Sequence, residues 1–149
     1  MAYTLQALIA DAAVIEANSS AEDAIVMLPQ GKALLPLVKS IRIRMGISCL
    51  PLTDDGKNAA SEEMAALCRA LPTQGKVAYV EAEIFGGAGT QACILAELGR
   101  VDSPYVGIDA INRALQFLGV EKGTCIDEFE ALGLGRHRET EEWVADRKA

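Results

Sequence analysis

The sequence predicts an α+β domain: an antiparallel β-sheet with helices packed on one face. Three observations carry this expectation. Extended runs come in neighbouring pairs joined by glycine- or proline-marked turns, at 24–35 and 77–98. Helical stripes at 61–71 and 108–118 stand apart from those pairs, which suits segregated layers better than alternating βαβ units. The 149 residues fit one domain, 1–149, with a mobile tail after about 144. Half of them are apolar but only 5% are aromatic, so the core must be aliphatic. A chain this long buries about two thirds of its unfolded surface and needs no metal or disulfide staple.

The elements follow in order. Residues 3–10 are apolar enough for a strand or a helix, and 12–17 favour a helix that Asn18 and Ser19 break. The apolar run 24–28 reads as a buried strand, Pro29-Gln30-Gly31 as a turn and 32–35 as the return strand. Leu37, Val38, Ile41 and Met45 recur at helical spacing, and Gly46 supplies the stop. Extended character resumes over 47–52. Ser61 then caps the clearest helix, whose stripe is Met64, Leu67, Cys68 and Leu71 and which Pro72 ends. Ile111, Leu115 and Leu118 share one face of the helix expected at 108–118, with Gly119 behind it. Shorter helices are expected at 125–132 and 139–144, with Trp143 anchoring the second on the core.

The centre of the chain holds the most information. Along 77–85, Ala78, Val80, Ala82 and Ile84 form a uniformly apolar face, while Val77, Tyr79, Glu81, Glu83 and Phe85 form a face with carboxylates at its middle. The second face is expected to be partly solvated. Gly86-Gly87-Ala88-Gly89-Thr90-Gln91 follows. The preferred reading is a hairpin turn, because glycine supplies the positive φ of tight turns, with 92–98 returning as a strand. The alternative is a phosphate-binding turn: Gly87 to Ala92 matches the G-x-G-x-x-[GA] dinucleotide fingerprint, with Asp109 as the distal acid. Against it, Glu81 and Glu83 would lie uncompensated on a strand buried on both faces. No Gly-Lys-Ser/Thr follows, so a P-loop is excluded.

Fourteen basic and twenty-one acidic residues give a net charge of −7. Nucleic acid and anionic membrane select basic surfaces, so neither is expected as the partner. No run of about 18 apolar residues is present to span a bilayer. The N-terminus lacks a basic region before its apolar run, so a cytoplasmic location is expected. Cys49, Cys68, Cys93 and Cys125 form no close pair and His137 is the one histidine, so no metal site is expected, nor any cofactor. The cysteines read as buried thiols acting as small hydrophobes. Glu81 and Glu83, two apart on a strand, would stand about 7 Å apart on one face. That spacing suits paired catalytic carboxylates, but no sugar-stacking aromatic cluster accompanies them. His137 sits between Arg136 and Arg138, with no nucleophile assignable to it. The Arg-His-Arg segment reads as an anchor for the last helix, with Arg136 or Arg138 meeting Glu81 or Glu83.

Tyr79-Val80-Glu81-Ala82-Glu83, Phe85 to Gln91, Ile111-Asn112-Arg113-Ala114-Leu115, Asp127-Glu128-Phe129 and Gly133 to Arg138 together resemble a group of small, uncharacterised bacterial proteins. The resemblance spans 77–143 and assigns no catalytic residue. In size and acidity the chain is similar in character to immunity proteins of bacterial toxin systems. No complete catalytic set is present. A non-enzymatic binding protein is therefore expected, an immunity-type inhibitor that captures a basic toxin by electrostatic complementarity. The alternative is a small enzyme or sensor binding a nucleotide or anionic metabolite. Its candidate cluster would join Glu81, Glu83, Gly86, Gly87, Gly89, Gln91, Arg136, His137 and Arg138.

Overall fold

Apolar side chains alternate on both faces of the long central strands, so each face builds its own core. A computed structural model describes residues 2–18, 24–53, 71, 75–86 and 88–148. Its strands are β1 (Ala2–Asp11), β2 (Val26–Met27), β3 (Lys32–Pro36), β4 (Lys76–Phe85), β5 (Ala88–Glu97), β6 (Arg100–Val101) and β7 (Tyr105–Val106). They form one antiparallel sheet in the order β2-β3-β1-β4-β5-β6, with β7 also on β5. The helices are α1 (Ala12–Ala17), α2 (Lys39–Met45), α3 (Ala110–Phe117), α4 (Glu128–Ala131) and α5 (Thr140–Lys148). The α+β class expected from the sequence is thus the class observed. Among the described residues no helix is long and apolar enough to cross a membrane.

The helices take both faces of the sheet, which amends the one-face expectation. Leu5, Ala7, Ile9, Ala78, Val80, Ala82 and Cys93 join Ile111, Leu115 and Trp143 in one apolar cluster. Leu8, Ala10, Val77, Tyr79, Ala92 and Ile94 join Ile15 of α1 and Ile41 of α2 in the other. The cause lies in β1 and β4: period-2 alternation directs successive side chains to opposite faces, and in both strands each set is largely apolar. Burying a large aliphatic side chain contributes about 1.5–3 kcal/mol, so neither face could stay in water.

Other elements match their local chemistry. Gly46 ends α2 with a left-handed backbone, φ 77°. Asp127 caps α4, accepting the Glu130 N–H at 2.9 Å, and this helix is shorter than the expected 125–132. Helix α5 continues through the stretch expected to be a mobile tail. Extended character is expected over 47–52, but 49–52 run as bends and turns, and Thr53 lies in a turn as expected. The helix expected at 61–71 lies outside the described residues except for Leu71, which is buried in the second cluster. Cys68 and Gly87 also lie outside them. Of the remaining cysteines only Cys93 is buried. Cys49 is exposed and Cys125 half-buried, because both sit on irregular chain outside the two cores.

Candidate functional site

Three regions hold the polar and glycine-rich residues singled out above, and the fold does not bring them into one site. The first is the glycine segment. Cross-strand pairing runs continuously to Phe85 opposite Ala88, leaving two glycines to join β4 to β5. Gly86 has φ 56°, the left-handed backbone that such a turn requires. The hairpin reading therefore stands. The residues after it are strand β5 and not a helix, so the turn-to-helix geometry of the dinucleotide fingerprint is not formed. Gly89 has a different duty. A Cβ there would lie 2.5 Å from both the Glu83 carbonyl oxygen and the Ile84 Cα, so only glycine permits the close approach. Gln91 reaches the start of α3, where its Oε1 accepts the Ile111 N–H at 3.0 Å.

The second region is a buried polar network around Glu81. The carboxylate is fully buried, contrary to the expectation of a partly solvated face, whereas Glu83 is half-exposed. Every partner of Glu81 is a donor. Oε2 accepts Thr53 N–H at 2.8 Å and Thr53 Oγ1 at 3.0 Å. Leu52 N–H lies 3.1 Å from both oxygens. Oε1 accepts the Tyr79 hydroxyl at 2.5 Å. Gln6, directly across from Glu81 on β1, extends the network. Its amide nitrogen donates to Tyr79 Oη at 2.9 Å and to the Ser48 carbonyl at 3.0 Å, and its oxygen accepts Leu50 N–H at 3.2 Å. Burial raises the Glu81 carboxyl above its usual range, and the donors from Tyr79, Thr53 and Leu52 oppose that rise. Burial and the adjacent carboxylate push the Tyr79 phenol well upward. The network clamps residues 48–53 onto the sheet. It satisfies backbone donors of a segment with no ladder of its own, which explains why 47–52 departs from the extended form expected.

The third region is Arg136-His137-Arg138, on the opposite face. Arg136 lies over the Trp143 ring at 5.0 Å, and His137 meets the same ring edge-on at 4.7 Å. Trp143 belongs to the cluster opposite Tyr79, and among the described residues no ion pair joins Arg136 or Arg138 to Glu81 or Glu83, so the expected pairing is not formed. The chain beside this segment is nonetheless tied to the sheet. The Arg138 carbonyl accepts Thr4 N–H at 2.8 Å, and Thr140 Oγ1 accepts Gln6 N–H at 3.0 Å. Residues 138–140 thus continue the edge of β1 where β3 leaves off. Glu142 Oε1 accepts the Arg138 and Glu139 N–H groups at 2.8 and 3.0 Å, which lowers its carboxyl below the usual range.

The surface best placed to bind lies on the first face, at the end nearest the glycine turn. A depression of about 390 Å³ is lined by Tyr3, Ile84, Gln91, Ile111, Asn112 and Phe129, with Ile108 and Asp127 at its border. A second, of about 590 Å³, lies beside it around Ile126, Glu130 and Arg136 and shares Asp127 and Phe129 with the first. Ile108 is 83% exposed and Ile126 82% exposed. Tyr3 packs edge-on against Phe129 at 5.5 Å, and its hydroxyl donates to the Leu134 carbonyl at 2.8 Å. Asn112 ties the floor to α4, donating to Asp127 Oδ2 at 3.2 Å and accepting Phe129 N–H at 2.9 Å. Among the described residues of the candidate cluster, Gln91 and Arg136 are the ones that line this surface. Sequence reasoning passed over Ile108 and Ile126. The available signal was that Ile108 precedes Asp109 and Ile126 precedes Asp127, each a helix-start acid, which leaves the isoleucine outside the helix and off its buried stripe. No family model, no curated protein and no solved structure matches this chain.

Proposed function

We propose that this chain is a binding protein that captures a basic protein partner, in the manner of an immunity-type inhibitor of a bacterial toxin. The observation that carries this reading is the pair of almost fully exposed isoleucines, Ile108 and Ile126, over adjoining depressions that share Phe129. Large exposed apolar side chains grouped over a concave surface mark interaction sites more often than single exposed ones do. Asp109, Asp127, Glu128 and Glu130 border them on the same two chain segments. Arg113 and Arg136 stand nearby but stack on Tyr105 at 4.0 Å and on Trp143 at 5.0 Å. The acids agree with the net charge of −7 and favour fast encounter with a basic partner. Catalysis has weaker support. Asp127 and Glu130 serve as helix-end acceptors, Glu81 is fully enclosed, and the glycine segment is a hairpin.

The test is protection in cells. Any basic protein found to be encoded beside this gene is expressed with the wild-type chain or with the Ile108→Asp/Ile126→Asp variant. The reading expects the wild type to relieve toxicity and the variant to fail while accumulating to the same level. Absence of a toxic basic neighbour, or equal protection by both chains, would overturn it.

A further inference from the structure

We propose that the partner docks by adding an extended segment to the open edge of β5 at Gly89, placing one large apolar side chain in the depression beside Ile84 and Phe129. This inference rests on the binding role proposed above and specifies how that surface is used. In an antiparallel pair, alternate residues direct both backbone groups to the same neighbour. The tight connection makes Phe85 and Ala88 the first bonded pair, so Thr90, Ala92 and Ile94 face β4 while Gly89, Gln91, Cys93 and Leu95 face outward. Two bonds confirm the phase: the Gln91 carbonyl accepts Gly107 N–H at 2.9 Å, and the Leu95 carbonyl accepts Asp102 N–H at 2.9 Å. Strand β7 pairs with Ala92 and Cys93 and Gly107 extends that cover to Gln91, while β6 pairs with Ala96 and Glu97 and Asp102 extends its cover to Leu95. The exposed Gly89 is left beyond the end of β7, its N–H and C=O aimed outward without a partner among the described residues.

Two of the usual protections are missing along the sequence of this edge. Ala88-Gly89-Thr90-Gln91 carries no charge and no proline, both of which normally discourage a strand from joining. At the far side of the sheet the edge strand β2 is only two residues long and is followed by Pro29. A segment running in line with β7 would place the residue opposite Gly89 on the face of Ile84 and Gln91. Gly89 has no side chain to obstruct it, and the depression lies beneath. Backbone bonds would then hold the segment while one pocket reads its side chain, the division of labour in strand addition. The acids at 109, 127, 128 and 130 fit lysines or arginines flanking that apolar residue.

The probe is a peptide selected from a random library against the full-length chain, with the Ile108→Asp/Ile126→Asp variant used for counter-selection. The selected peptide is titrated into isotopically labelled protein, and again after N-methylation of the backbone position opposite Gly89. The proposal expects alternating apolar and basic residues, slowed amide exchange at Gly89, and binding weakened at least about tenfold by N-methylation, one lost backbone bond. A peptide that binds over Ile108 and Ile126 but leaves Gly89 exchange unchanged and tolerates N-methylation would overturn strand addition and leave the binding role standing. If no selected peptide depends on Ile108 and Ile126, both fall.

Discussion

Replacing Glu81 by glutamine tests the buried network most sharply. The carboxylate receives four donor groups: two backbone N–H, the Thr53 hydroxyl and the Tyr79 hydroxyl. Glutamine keeps one oxygen. If that oxygen takes the place of Oε2, it retains the bonds to residues 52 and 53, and the new NH₂ faces Tyr79. The Tyr79 oxygen already accepts from Gln6 at 2.9 Å, so it can accept once more, but its own hydrogen loses its acceptor. Leaving one buried donor unsatisfied costs about 1–3 kcal/mol, and the relief of removing a buried charge offsets part of this. We expect Glu81→Gln to lower stability by about 1–2 kcal/mol in urea denaturation at pH 7. Tyr79→Phe removes the same bond from the other side. The double variant should therefore be more stable than the sum of the two losses implies, by at least about 0.5 kcal/mol. An unchanged midpoint for Glu81→Gln, or strict additivity with Tyr79→Phe, would refute the network as described.

Three further outcomes follow from the same structure. Because burial raises the folded Glu81 carboxyl above its unfolded value, the folded state holds that proton more tightly. Its charge then costs stability at neutral pH, and the cost fades as pH falls through the raised value toward about 4.3, so the deficit of Glu81→Gln relative to wild type should widen on acidification. A narrowing deficit, read from denaturation midpoints between neutral and mildly acid pH, would mean that the donors outweigh burial. Glu81→Gln combined with Arg136→Gln should add without coupling, because the two residues belong to opposite faces, and a coupling above about 0.5 kcal/mol would contradict that separation. Gly89→Ala should destabilise by about 1–3 kcal/mol as its Cβ meets the β4 backbone, and an unchanged melting temperature would show that the hairpin relaxes freely.

What the sequence revealed followed from local chemistry. The hairpin at Gly86, the left-handed stop at Gly46 and the stripe of Ile111 and Leu115 each depend on neighbours in the chain, and each is where its pattern placed it. The burial of Glu81 is not legible locally, because three of its four donors come from Leu52 and Thr53, far away in sequence. Only the β1–β4 register, which sets Gln6 beside Glu81, brings the segment 48–53 over it. The same limit applies to Arg136: opposite charge suggested a carboxylate partner, but the sheet stands between them and Trp143 takes the guanidinium. The binding surface was harder still to see, since Tyr3, Ile84, Ile111 and Phe129 come from four elements that meet only in the fold.

The central claim is that this chain binds a basic protein through Ile108 and Ile126. Calorimetric titration of a basic protein found to be encoded beside this gene, into the wild type and the Ile108→Asp/Ile126→Asp variant, tests it most directly. One-to-one binding by the wild type is expected, with a loss of at least about 100-fold in the variant, as for two central apolar contacts, and an unchanged unfolding midpoint. No binding by the wild type, or equal affinity for both chains, would contradict it.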